Sequence, residues 1–135
     1  MKVYVGCALT HATESFKVQV SEMKERLKEN GYDVLEFVGL SAGSAKDVYE
    51  HDIHGCVAKC DAFVAVCELP SIGLGYELCY AVEVRKIPTL AIASDTVKVT
   101  RLVEGITADC FTFTQYNQTE TLYGAVYEWL KSVNL

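Results

Sequence analysis

Two periodicities run through the chain and hand over to one another in regular order. Met1 to Val5 is a short apolar run ending at Gly6, which predicts a strand. Phe16, Val20, Met23 and Leu27 then recur at 4-3-4 spacing, the signature of one helix face. Asn30-Gly31 supplies a left-handed stop for that helix. Tyr32 to Phe37 predicts a second strand, and residues 41–44 a loop whose Ser44 caps a helix, with Asp47 in capping-box position. That helix is expected to run to about Lys59. Ala62 to Val66 is apolar without interruption, as in a strand buried on both faces, and Leu78, Ala81 and Val82 restart the helical spacing. Pro88 to Ala93 predicts a fourth strand, Lys98 to Glu104 a short helix and Phe111 to Thr114 a last strand. Asn117 is expected to cap a closing helix that turns Leu122, Val126, Trp129 and Val133 inward.

Strands alternating with helices build a parallel sheet with right-handed crossovers and helices on both faces. The expected fold is therefore α/β, about five parallel strands in the order 2-1-3-4-5, in a single domain over residues 1–135. No repeat, linker or low-complexity segment interrupts it.

Composition narrows the partners. Half of the residues are apolar, enough to fill a core at this length without a metal or a disulfide. A net charge of −6 argues against nucleic acid and against an anionic membrane surface, both of which need clustered Lys and Arg. No apolar run reaches the roughly 18 residues of a membrane span, and no leader pattern opens the chain. A soluble, cytoplasmic protein is expected. The six cysteines lack CxxC spacing and mostly fall within apolar patterns, as small hydrophobes do. His51, His54 and Cys56 or Cys60 find no second ligand pair elsewhere, so no metal is expected.

The chemistry points to the middle of the chain. With strand order 2-1-3-4-5 a crevice opens between the first and third strands, walled by residues 6–10, including Gly6 and Cys7, and by residues 68–75. Glu77 is expected in the first turn of the following helix, where the dipole favours a carboxylate by roughly 0.3–1 kcal/mol. An ionised carboxylate aimed at a crevice can serve as nucleophile or general base. Gly73 and Gly75 let backbone approach a ligand, and their amides with the Ser71 hydroxyl could hold an anionic oxygen. Asp52 lies among Val48, Tyr49, Ile53 and Val57, an acid on a largely apolar face. Two acids in one pocket can divide the labour, one protonated and one ionised. Gly73-Leu-Gly75-Tyr-Glu-Leu78 lacks the third glycine of a dinucleotide fingerprint, and no P-loop occurs, which disfavours NAD and ATP.

The stretch Pro70-Ser-Ile-Gly-Leu-Gly-Tyr-Glu77, with Asp52 and Asp61 before it, resembles the nucleoside 2-deoxyribosyltransferase superfamily, and within it the 2'-deoxynucleoside 5'-phosphate N-hydrolases. The resemblance is densest over residues 48–84. It implies a flavodoxin-like three-layer sandwich and a homodimer with a shared active site. The implied reaction cleaves the N-glycosidic bond of a 2'-deoxynucleoside 5'-monophosphate through a glutamyl-deoxyribosyl intermediate, with no cofactor. By position it makes Glu77 the nucleophile, Asp52 the acid that assists the departing base and Ser71 a contact of the 5'-phosphate. Thr100 would be a hydroxyl that the partner subunit lends to the same pocket. Where those hydrolases carry Gly-Ser-x-Arg after the first strand, this chain has Gly6-Cys7-Ala8-Leu9. Base exchange between nucleosides, ribonucleotide hydrolysis and a non-catalytic nucleotide or flavin binding module are the alternatives. A phosphoacceptor receiver would need acids beside the first strand, and Lys2-Val-Tyr-Val-Gly6 has none.

Overall fold

The computed structural model describes residues 1–37 and 43–134. Most of the loop expected before Ser44 lies outside the described residues. Five strands form one sheet: β1 (Lys2–Cys7), β2 (Asp33–Leu35), β3 (Ala62–Val66), β4 (Thr89–Ser94) and β5 (Phe111–Tyr116). All neighbours pair in parallel in the order β2-β1-β3-β4-β5, as the sequence predicts. The helices are α1 (Glu14–Glu29), α2 (Ala45–Tyr49), α3 (Ile72–Cys79), α4 (Arg101–Glu104) and α5 (Leu122–Val133). Among the described residues no helix is long and apolar enough to cross a membrane.

Strand alternation divides the interior into two layers. Val3, Val5, Val64, Val66, Leu90 and Ile92 point to one face, where Val20, Met23 and Leu27 of α1 and Leu122, Val126 and Leu130 of α5 cover them. Tyr4, Phe63, Ala65, Ala91 and Ala93 point to the other, beneath α3 and the helix carrying Asp52. The first layer is built of branched side chains that interdigitate. The second has alanines toward the carboxyl ends of β3 and β4 and Gly6 on β1, so α3 can lie close to the sheet.

Caps set most helix starts. The Thr13 hydroxyl accepts from the Phe16 amide at 3.1 Å and starts α1; Gly31, at φ +91, follows its end. Ser44 and Asp47 form the expected reciprocal box, at 2.9 and 3.2 Å. Several boundaries differ from expectation: β2 spans Asp33–Leu35 and not residues 32–37, α4 starts at Arg101 and not Lys98, and β5 runs on to Tyr116. The closing helix is capped by Thr121, because Asn117 instead accepts from Thr119 in a local turn. Its buried face therefore ends at Leu130, and Trp129 and Val133 are only partly covered.

Both helices over the second layer widen partway along. α2 continues as π-helical turns over Glu50–Val57, and α3 over Tyr80–Arg85. Arg85 joins them: its Nη1 donates to the carbonyls of Val57 at 2.7 Å and Cys60 at 3.2 Å. The guanidinium thus satisfies carbonyls at the end of one helix from the end of the other. Arg85→Met should lower stability to chemical denaturation by about 1–2 kcal/mol, through loss of a charged donor to two partly buried carbonyls.

Candidate active site

A hollow of about 230 Å³ opens at the carboxyl edge of the sheet between β1 and β3. Asp52 and Glu77 both line it, so acids from two separate helices meet in one crevice. Ser71, Gly73 and Leu74 form its wall on the α3 side; Cys7, Leu9 and Thr10 form it after β1. Phe37 and Val48 complete the side toward β2.

Glu77 is not in the first turn of its helix. α3 starts at Ile72, with Ser71 as cap and its hydroxyl accepting from the Leu74 amide at 3.1 Å, so Glu77 falls in the second turn. There the dipole has faded, and burial decides the carboxyl's behaviour instead. Burial pushes its pKa from 4.5 up to about 7; a hydrogen bond from Tyr4 opposes the rise and the Asp52 charge adds to it. The acid expected to stay ionised is thus the one held near half-protonation at neutral pH.

Tyr4, 1% exposed, donates its hydroxyl to Glu77 Oε2 at 2.5 Å. Its ring stacks on Phe63 with centroids 5.5 Å apart. Burial and the facing carboxylate drive the Tyr4 pKa upward, so the phenol stays a donor. A strand tyrosine between two inward valines carries a hydroxyl that needs a partner when buried, and that is the signal in the sequence that could have found it. Gly6 lies directly under the acid: a Cβ there would come within 3.2 Å of Glu77 Oε1 and 3.0 Å of Leu74 Cδ1. The glycine serves close approach, at negative φ.

The other expected residues divide. Cys7, Ser71 and Gly73 line the hollow with the acids. Burial raises the Cys7 thiol pKa, with Lys24 opposing. Gly75 and Thr100 line a neighbouring hollow of about 190 Å³ with Lys98, separated from the first by Ser71 and Leu74, which belong to both. The Gly75 amide is engaged within the helix, donating to Ser71 O at 3.1 Å, and does not serve as an anion donor. Thr100 caps α4. His51 Nε2 donates to Glu36 O at 2.6 Å and His54 meets the Tyr49 hydroxyl at 3.1 Å. Among the described residues no group of three His, Cys, Asp or Glu side chains could hold a metal ion.

This is a doubly wound α/β chain with a paired-acid crevice at its topological switch point, and known proteins share that arrangement of strands. The Clostridium botulinum CMP N-glycosidase BcmB superposes with a TM-score of 0.76 at 18% identity, over 95% of this chain and 99% of that one. A 2-deoxyribosyltransferase from Leishmania mexicana superposes at 0.64 and 15% identity, over 99% of each. In sequence, proteins provisionally named 2'-deoxynucleoside 5'-phosphate N-hydrolase 1 are similar. The one from Methanosarcina mazei is 32% identical over 88 residues, 65% of this chain and about half (53%) of that protein. The one from Thermofilum pendens is 27% identical over 128 residues, 89% and 88% of the two. No protein-family model matches the chain. The resemblance read from the sequence thus holds: the chain is similar in sequence to the proteins named as hydrolases, and the two solved structures share its fold.

The buried acid has a thermodynamic consequence. With a folded pKa of about 7 against 4.5 unfolded, Glu77 binds its proton more tightly in the native state. Stability is then highest below pH 4.5 as far as this group is concerned, falls as pH rises to 7, and above that carries an ionisation cost of at most about 3 kcal/mol. Glu77→Gln should match the parent's stability at pH 4 and exceed it at pH 8, as read by thermal unfolding at both pH values.

Proposed function

We propose that this protein is an N-glycosidase of the nucleoside deoxyribosyltransferase type. It hydrolyses the N-glycosidic bond of a 2'-deoxynucleoside 5'-monophosphate and releases free base and deoxyribose 5-phosphate. The observation that carries the reading is the convergence of Glu77 and Asp52 on one hollow, with Tyr4 donating to the Glu77 carboxylate. The names borne by the sequence relatives supply the substrate class.

In this reading ionised Glu77 attacks the anomeric carbon. A C1'–O ester forms as the C1'–N bond breaks, and the electron pair leaves with the base, which takes a proton from Asp52. The Asp52 carboxylate then draws a proton from water, whose oxygen displaces Glu77 at C1' and restores both acids. Paired carboxyls in these roles are the pattern of retaining glycosyl transfer. Ser71 and Gly73, whose amide is one of the first-turn donors that no i−4 carbonyl reaches, line the hollow and in this reading take the 5' end of the sugar. A homodimer in which Thr100 of the partner subunit reaches this end belongs to the same proposal. Base exchange, with a second base in place of water, is the runner-up.

A panel of deoxynucleotides, deoxynucleosides and ribonucleotides scored for free base tests the reading. Glu77→Ala should abolish base release with the fold intact; release at the parental rate refutes the assignment. Asp52→Asn should slow release by about 10²–10⁴-fold, the usual contribution of a general acid, while nucleotide still binds. Because the nucleophile must be ionised, kcat/KM should climb as pH rises through about 7. Tyr4→Phe removes the bond that holds the Glu77 pKa down, so its rising limb should move to higher pH. A swapped nucleoside formed in the presence of a second free base would favour exchange.

A further inference from the structure

Lys24 is the one buried charged side chain among the described residues, 6% exposed, and the reaction above gives it no task. Charges are rarely buried without a reason. Its ammonium bonds the Glu36 carboxylate at 3.1 Å and stands 4.1 Å from the centroid of the Phe37 ring. Glu36 is half exposed and also takes Lys28 at 3.2 Å, so the pair is no sealed ion pair. Phe37 belongs to two hollows: the catalytic one, and a second of about 200 Å³ whose walls include Lys24. Phe37, with Cys7 and Leu9, thus lies between the two hollows, with the buried ammonium against its ring.

Position along the sheet edge says which end of a substrate meets this ring. Phe37 follows β2, Cys7 ends β1 and Ser71 follows β3, so Phe37 and Ser71 occupy opposite ends of the hollow. With Ser71 at the sugar's 5' end, the base extends toward Phe37 and Val48, the latter one turn before Asp52. A flat heteroaromatic base meets there an aromatic ring backed by a positive charge.

We propose that Phe37 is the stacking wall for the nucleobase, and that Lys24, behind it, stabilises the negative charge that gathers on the base as the C1'–N bond breaks. The inference rests on the glycosidase reading above. Lys24 transfers nothing: the electron pair goes to the base nitrogen, the proton comes from Asp52, and the ammonium acts through the ring by its field. A fixed charge aimed at developing charge in a water-poor site lowers the barrier without touching the reacting atoms. Phe37 is then a substrate-contacting residue and Lys24 a positioning residue.

The test uses the full chain and 2'-deoxynucleoside 5'-monophosphates of a base that the parent cleaves, with ring substituents that vary the acidity of the leaving nitrogen. Lys24→Met should lower kcat by about tenfold on the poorest leaving base and progressively less on more acidic ones, with KM little changed. Lys24→Arg, which keeps the charge over the ring, should restore the parental dependence. Phe37→Leu should raise KM by about tenfold, as expected for loss of a base–aromatic stack. An unaltered leaving-group dependence in Lys24→Met overturns the role of Lys24, and an unaltered KM in Phe37→Leu overturns that of Phe37. A uniform fall in both constants across all bases, unrelieved by Lys24→Arg, marks Lys24 as merely structural and overturns it too. A parent that releases no base from any member of the wider panel removes the glycosidase reading itself, and this inference with it.

Discussion

The site depends on one buried contact, the Tyr4 hydroxyl on the Glu77 carboxylate. Neither group could be where it is without the other. A carboxylate taken out of water with no donor costs several kcal/mol, and a phenol buried under a helix loses its hydrogen bonds to water as well. Each answers the other's need, and the stack of Tyr4 on Phe63 fixes the donor's position from below. Gly6 follows as a consequence, since a side chain there would occupy the space that Glu77 Oε1 needs. The result is an acid held in place but only partly compensated, which is why burial still dominates its pKa.

The two faces of the sheet carry different duties. The face under α1 and α5 is packed mostly with valine, leucine and isoleucine to near-complete burial, with neither acid on it. The other face has small residues near its carboxyl edge, and the helices over it run into π-helical turns, a form that recurs where helices carry functional side chains. That edge is stiffened elsewhere. Glu68 Oε1 accepts from the Ser94 amide and from the Tyr116 hydroxyl, both at 2.8 Å, and so ties the ends of β3, β4 and β5 together. Arg85 does the same for the two acid-bearing helices from their far ends.

The sheet was legible because buried parallel strands and amphipathic helices have distinct periods, and runs such as 62–66 admit one reading. Helix starts were less so. Asn117 and Thr121 are both good caps four residues apart, and only the packing of Leu122 against the sheet chooses between them. Residue type and neighbours single out Glu77, but Ser71 and not a later residue opens the turn, which puts the acid one turn further into the helix. The buried strand hydroxyl of Tyr4 is visible in the sequence, but its partner, 73 positions away, leaves no trace in local pattern.

Two solved structures share this fold at 18 and 15% identity while their names specify different reactions, so the scaffold determines where a site lies and little of what it accepts. Within this chain the two acids sit on helices that the core fixes. What surrounds the substrate comes from the segments after the strands: Cys7 to Thr10 after β1, Phe37 after β2, Ser71 after β3. Substitution in those segments alters contacts without disturbing either layer of the core. The departure at Gly6-Cys7-Ala8-Leu9 from the hydrolases' Gly-Ser-x-Arg pattern falls in one of them. Leu9 lines the hollow, so a phosphate there meets an apolar side chain where an arginine would have offered a bidentate donor. In the proposed reading the hold on the 5' end then falls to hydroxyls and amides, those at the start of α3 among them, which discriminate less between a phosphate and a free hydroxyl than a bidentate guanidinium does.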